Sequence, residues 1–342
     1  MRLRRLAAAA AGLLVLAPAL AACGDDSGDI KTGDVIPART DAQFVEGTAS
    51  TLALPIGRLE IFMGKPTTKL DSTDTRQREA LEAPAGATFI PITWQYDART
   101  FGDFSAYVGK EVSPTVDLVS SEATYRLPPP EPVGEGSKSF YVPVDGTGED
   151  PQLRVDYDGV TQTVDLLTGK RDEGAAAPLY DVKPTSKTRP CTAGADFHDN
   201  AGRSDYKCKV SKPLRLPYAD GKWAKKGHGF VAMTVSTSVL RLDILGTDLR
   251  SGATYLATGV DSVFRYGGKK PLLVDRVTAG LCPDDTTGGC TGRYHVVFDA
   301  TGKAAKRLKI DQAFQLELVN KYGAFDRGKR MKLKVTTGLR VG

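Results

Sequence analysis

Phe140-Tyr141-Val142-Pro143-Val144-Asp145-Gly146-Thr147-Gly148 and Tyr294-His295-Val296-Val297-Phe298-Asp299-Ala300-Thr301-Gly302 stand 154 positions apart and say nearly the same thing. Each is an apolar-rich stretch closed by Asp, one residue, Thr and Gly. Two further blocks match in the same order. Gly86 to Trp94 parallels Gly227 to Val235: Gly, two residues, Phe, a β-branched residue, any residue, an apolar residue, Thr, an apolar residue. Asp117 to Tyr125 parallels Asp248 to Tyr255 with one residue deleted. Three blocks in sequence argue for a tandem duplication, one domain written twice.

Period-two alternation identifies the domain type. Phe89, Ile92 and Trp94 alternate with other residues, as do Leu153, Val155 and Tyr157; Phe314, Leu316 and Leu318; and Met331, Leu333 and Val335. Gly, Pro, Asp and Asn clusters punctuate these runs, and helical periodicity is nearly absent. Short strands at such spacing predict an all-β antiparallel sandwich or barrel. The Asp-x-Thr-Gly phrases are expected to be hairpin turns, with Gly supplying positive φ.

The amino terminus supplies an address. Arg2, Arg4 and Arg5 precede an apolar run from Leu6 to Leu20, and small residues lead to Cys23. This is a secretory signal, too short for a comfortable membrane span. Leu20-Ala21-Ala22-Cys23 resembles the lipobox of bacterial lipoproteins. That likeness implies cleavage before Cys23, diacylglycerol on its thiol and a cell-membrane, extracytoplasmic location. Two acyl chains on one Cys anchor stably. Residues 23–47 are polar and acidic and read as a flexible tether. The expected organisation is a signal peptide over 1–22, the tether over 23–47, a first sandwich over 48–170, a linker over 171–188 and a second sandwich over 189–342.

With Cys23 assigned to lipid, Cys191, Cys208, Cys282 and Cys290 remain. An even number in an exported chain suggests two disulfides, in one of three connectivities. Sequence proximity favours Cys191 with Cys208 and Cys282 with Cys290, since each closes a short loop. The rival is a metal site from Cys191, His198 and Cys208. No C-x-x-C spacing supports it, and neither a metal nor another cofactor is expected.

The order of the blocks resembles the immunoglobulin-like domains of unknown function found in lipoproteins of Gram-positive, actinobacterial-type bacteria. The mycobacterial immunoprotective extracellular antigen is similar in fold. Phe140-Tyr141-Val142-Pro143-Val144 carries the likeness best; the second copy departs from it, with Val297 in place of the Pro. The resemblance implies two tandem immunoglobulin-like sandwiches. It supplies no catalytic residues.

Charge is split along the chain. The net charge is +5, yet residues 48–187 carry 14 basic and 21 acidic side chains, while residues 188–342 carry 27 basic and 14 acidic. Lys303, Lys306, Arg307, Lys309, Lys329, Arg330, Lys332, Lys334 and Arg340 fall in two neighbouring runs. On one face they would attract lipid headgroups or acidic wall polymers. A bland reading also stands: lysines guarding a sheet edge, or attraction between the two domains.

Catalytic patterns are missing. No Gly-x-Ser-x-Gly elbow occurs. Ser204 and Lys207 fit Ser-x-x-Lys, and Lys31-Thr32-Gly33 fits Lys-Thr-Gly, but their order is opposite to that of penicillin-recognising enzymes. His198, His228 and His295 are the only imidazoles. Asp284-Asp285 and the loop Asp145 to Asp150 lack EF-hand spacing. Trp94 and Trp223 suit core or strand-edge roles. No nucleic-acid motif is present. The expected function is a non-enzymatic binding, adhesion or envelope-accessory module, a protein partner included. The second candidate is a small-molecule or metal carrier with its ligand between the domains.

Overall fold

The computed structural model describes residues 30–97, 104, 112–120, 123–130, 136–184, 186–197, 202–281, 289–301 and 306–341. The signal segment, Cys23, His198, Cys282, Asp284, Asp285 and Lys303 lie outside the described residues. Lys31–Gly342 forms one compact unit.

Its amino-terminal strands are β1 (Ile36–Pro37), β2 (Thr48–Leu54), β3 (Gly57–Met63), β4 (Lys69–Leu70), β5 (Leu81–Glu82) and β6 (Ala87–Asp97). There follow β7 (Thr115–Ser120), β8 (Ala123–Leu127), β9 (Ser137–Asp145), β10 (Gln152–Tyr157), β11 (Val160–Asp165) and β12 (Arg171–Asp172). The carboxyl-terminal strands begin with β13 (Thr188–Pro190), β14 (Ala195–Phe197), β15 (Gly202–Ser204), β16 (Lys207–Ser211), β17 (Leu214–Leu216), β18 (Tyr218–Ala219) and β19 (Lys222–Trp223). The long strands close the chain: β20 (His228–Val239), β21 (Arg241–Leu245), β22 (Gly252–Tyr266), β23 (Leu273–Leu281), β24 (Cys290–Thr301), β25 (Lys306–Tyr322) and β26 (Arg330–Val341).

The fold is all-β and antiparallel. A sheet of order β1-β9-β6-β3-β2 faces one of order β12-β11-β10-β7-β8. Ile61, Ile90, Ile92 and Val142 of the first meet Val116, Leu118, Val155 and Tyr157 of the second in one apolar core. Further along, a sheet of order β13-β16-β20-β24-β23 faces one of order β14-β26-β25-β22-β21-β15. Met233, Val235, Val296 and Phe298 there meet Tyr255, Phe264, Ile310 and Phe314.

The repeated blocks fall unequally on this frame. Block one lies on β6 and β20, and the Phe140 and Tyr294 blocks lie on β9 and β24. Each of these pairs is adjacent in its own sheet, but the register differs. Phe89 faces Pro143, whereas Phe230, its counterpart, faces Asp299, two residues further along. A two-residue slip returns every side chain to its own face, so both cores survive it. The middle block does not map. Ala123-Thr124-Tyr125 opens the edge strand β8, while Ala253-Thr254-Tyr255 lies in β22, an interior strand.

Three sequence expectations need correction. First, the Asp-x-Thr-Gly phrases are not hairpins. β9 and β10 belong to opposite sheets, as do β24 and β25, so each phrase leads the chain across a sandwich. The positive φ is used in this crossing, 86° at Gly146 and 71° at Gly148. The Tyr125 hydroxyl pins the first crossover, accepting from the Asp145 N–H at 2.8 Å and donating to Asp145 Oδ2 at 2.9 Å. Second, the described part of the 23–47 tether is folded. β1 pairs with β9, Ile36 and Ala38 are buried, and the Phe44 ring meets Tyr141 edge-on at 5.0 Å. The cause is β6, buried from Ala87 to Trp94 on both faces; its outward face needs an apolar cover. Third, the 171–188 linker is largely part of the body. β12 pairs with β11, and the 3₁₀ turn Gly174–Leu179 buries Ala176 and Leu179 against Ala53. The Tyr180 hydroxyl donates to Gln162 Oε1 at 2.6 Å and accepts from the Ala53 N–H at 3.0 Å.

The two cores are joined rather than strung. Asp158-Gly159 and Asp220-Gly221 each have φ positive at both residues, as two-residue hairpin turns require. These turns present Tyr157 and Tyr218, whose rings meet edge-on at 5.5 Å. Tyr218 donates to Asp158 Oδ2 at 2.9 Å and stacks edge-on with Trp223 at 5.1 Å. The Trp223 indole N–H donates to the Tyr157 carbonyl at 3.1 Å. Leu216, Phe230, Ala232 and Val297 thereby enter the amino-terminal core.

Burial pushes the Tyr157 phenol up to about 12, against an ordinary value near 10. As pH rises the unfolded chain loses this proton first. Stability from this group is therefore full below about pH 10 and lost towards about pH 12. Urea midpoints are expected to fall through that window. Tyr157→Phe should flatten the fall while costing about 1 kcal/mol at neutral pH for the hydrogen bond that its hydroxyl shares with Tyr218. An unchanged alkaline slope would assign the effect elsewhere.

Candidate functional site

β25 and β26 are neighbouring interior strands of the last sheet, and their alternation sorts the predicted basic residues. Leu308, Ile310, Phe314 and Leu316 on β25, with Leu333, Val335 and Val341 on β26, are buried in the core. Residues one step out of phase point away from it. Arg307, Lys309, Arg330, Lys332, Lys334 and Arg340 are thus brought to one outer face. Lys306 is not: it has core-side parity at the strand end, and its Nζ stands 5.9 Å from the Tyr266 ring. Lys329 precedes β26 and is exposed, with its carbonyl accepting from the Leu318 N–H at 2.8 Å.

Register decides how much of this charge is neutralised. Arg330 faces Glu317 and pairs with it at 2.9 Å. Lys309 and Arg265 share Asp311 at 3.0 and 3.2 Å. Burial pushes the Asp311 carboxyl up, but hydrogen bonds from Lys309 and Thr336 and the charges of Lys309 and Arg265 outweigh it and hold the group below its ordinary range. Lys334 lies opposite Ala313, Lys332 opposite Gln315 and Arg307 opposite Arg340. Among the described residues these four cations have no acidic partner within ion-pair distance. Like charges directly opposite across a ladder destabilise a sheet. Arg189 adds a further guanidinium, donating to the Arg340 carbonyl. A hollow of about 440 Å³ opens on the same face between Thr258, Gln315, Glu317, Arg330 and Lys332.

A second feature lies at the junction of the two cores. A groove of about 760 Å³ runs between the Gly174–Leu179 turn and the chain around β19. Pro178, Asp181 and Val182 line one side, and Trp223, Lys225 and His228 the other. The Asp220-Gly221 turn that places Trp223 is an Asp-Gly hairpin signal in the sequence, closing the pair of Tyr218 with Trp223. Trp94 is a core residue, edge-on to Phe140 at 4.7 Å. His295 is buried on β24, with its ring 5.0 Å from Phe104. Ser204 and Lys207 lie on separate strands, β15 and β16.

Cys191 and Cys208 are bonded, with Cα atoms 4.9 Å apart. Cys290 is also disulfide-bonded, and its expected partner Cys282 lies outside the described residues. Among the described residues no three His, Cys, Asp or Glu side chains gather as a metal site. The Cys191–Cys208 bridge closes a loop of sequence separation 17. Replacing both with Ser is expected to cost about 3 kcal/mol in urea unfolding, from loop entropy. The loop that this bridge closes carries β14, which pairs with Val335, Thr336 and Thr337 of β26, so the bridge also holds one flank of that strand. No protein-family model, curated protein or solved structure matches this chain.

Proposed function

We propose that this chain is a lipid-anchored, extracytoplasmic and non-enzymatic binding module, built from two immunoglobulin-like sandwiches and tethered through Cys23. Its partner is an anionic polymer of the cell envelope, and it docks on the outer face of β25 and β26. The observation that carries this reading is the unneutralised set Lys332, Lys334, Arg307 and Arg340. A sheet gains nothing in stability from placing two guanidiniums opposite each other. An anionic ligand turns that repulsion into attraction, and the hollow beside Lys332 adds hydrogen-bonding groups for it. Each cation near an anionic surface contributes about 1 kcal/mol, screened by salt.

The compact unit 31–342 should bind isolated anionic wall polymer strongly at about 50 mM salt and weakly at about 300 mM. Lys332→Ser with Lys334→Ser is expected to reduce affinity by about tenfold or more. Absence of binding at both salts overturns the reading.

The groove at the core junction favours a second reading, a carrier for a small anionic ligand held against Trp223 and the neighbouring lysines. Its test is Trp223 emission during titration with inorganic phosphate and with a hexose phosphate. A saturable change, lost in Lys225→Ser with Lys226→Ser, supports the carrier; a flat titration removes it.

A further inference from the structure

The end of the sheet at which β21, β22 and β25 meet exposes four large apolar side chains by three separate devices. Leu249 is 74 % exposed and sits at φ 54°, a left-handed conformation that is strained for a residue with a Cβ. Asp248 holds it there. Its Oδ1 accepts from the Arg250 N–H at 3.0 Å, the Ser251 N–H at 2.9 Å and the Ser251 hydroxyl at 2.8 Å. Val319 is the extra residue of a β-bulge, since Thr254 faces Asn320 while Tyr255 faces Leu318. Bulges re-aim side chains, and Val319 is exposed. Tyr322 lies over Gly252: a Cβ at Gly252 would stand 2.5 Å from its hydroxyl. Leu245 faces Gly252 from the other side, so Leu245 and Tyr322 share the outer face.

Cations surround these groups. The loop 323–329 packs beside the loop 246–251, with Gly323 against the backbone of Arg250 and Ser251. Arg250, Lys321, Arg327 and Lys329 are exposed at this end, against Asp248, occupied by its own loop, and Asp326. Exposed aliphatic and Tyr side chains within a basic rim suit the boundary of an anionic bilayer, where apolar groups enter the acyl region and Lys and Arg stay at the headgroups.

We propose that this tip inserts Leu249, Leu245, Val319 and Tyr322 into the interface of an anionic lipid bilayer. The occupant is a membrane rather than a protein because the apolar side chains protrude singly from separate elements. A fluid surface accepts such an outline, whereas a protein partner needs a matched area of about 1,000 Å². The proposal rests on the reading of the chain as membrane-tethered. Its test omits the lipid-bearing segment, so failure of the tip and failure of the anchor are told apart.

The experiment uses the compact unit 31–342 carrying Leu249→Trp, mixed with phosphatidylcholine vesicles with and without phosphatidylglycerol. The expected result is a blue shift of the new emission with anionic vesicles and its quenching by brominated acyl chains. Both should persist when Lys332 and Lys334 are Ser. In the otherwise native unit, Leu249→Ser should weaken partition by about tenfold. Vesicle binding without quenching would leave only a headgroup-attracted face and overturn insertion. Absence of binding, or self-association in solution that Leu249→Ser abolishes, would also overturn it, the latter by assigning the patch to a second copy. The exposure of Leu249 makes both substitutions compatible with folding, and an unchanged urea midpoint checks this.

Discussion

One hydrogen bond and the rings around it hold the architecture together. The Trp223 indole N–H reaches the Tyr157 carbonyl, and Tyr218 stands edge-on to both rings while bonding Asp158. Edge-to-face pairs add roughly 0.5–1.5 kcal/mol each beyond the apolar area they bury. Here they do more than add stability. They close the amino-terminal core with residues from β17, β18 and β20, so neither half completes its burial alone. The groove beside Trp223 and the fixed position of the later sheets both depend on this contact.

The all-β class was legible because period-two alternation is a local property that tertiary packing only reinforces. The fate of the repeats was not. Phe89 and Phe230 occupy matching central strands, yet their registers differ by two residues. Alternation is blind to such a slip, since it leaves every face unchanged. The polar look of residues 31–47 suggested a tether because composition does not reveal what lies beneath. Phe44, Ile36 and Gln43 are few, but they meet Tyr141, Thr93 and Ser139 on a face that would otherwise be bare. The same holds for Ala176 and Leu179 within a stretch rich in Ala and Pro.

The basic face was readable to the extent that strand parity governs it. Lys332 and Lys334 alternate with Leu333 and Val335, and their common side follows from the sequence alone. Neutralisation did not follow, because it depends on which residue lies opposite. Only the register reveals Glu317 beside Arg330 and Ala313 beside Lys334. Lys306 belonged to the same charged run but takes the other parity. Leu249 gave no signal at all: nothing in Thr247-Asp248-Leu249-Arg250 announces a left-handed leucine, which arises from the grip of Asp248 on the following backbone.

The strap formed by residues 31–47 has a mechanical consequence in the proposed lipid-anchored state. Load from the anchor enters the body at β1, a two-residue edge strand supported by the Gly33 and Ala38 N–H groups bonding Pro143 and Ser139. Pulling at one end of an edge strand breaks its bonds one at a time, as in unzipping, rather than together. The strap therefore yields before the sandwich behind it. Released, its residues span up to about 60 Å when extended. The leash lengthens under tension, and the faces proposed for polymer and bilayer stay folded at its end.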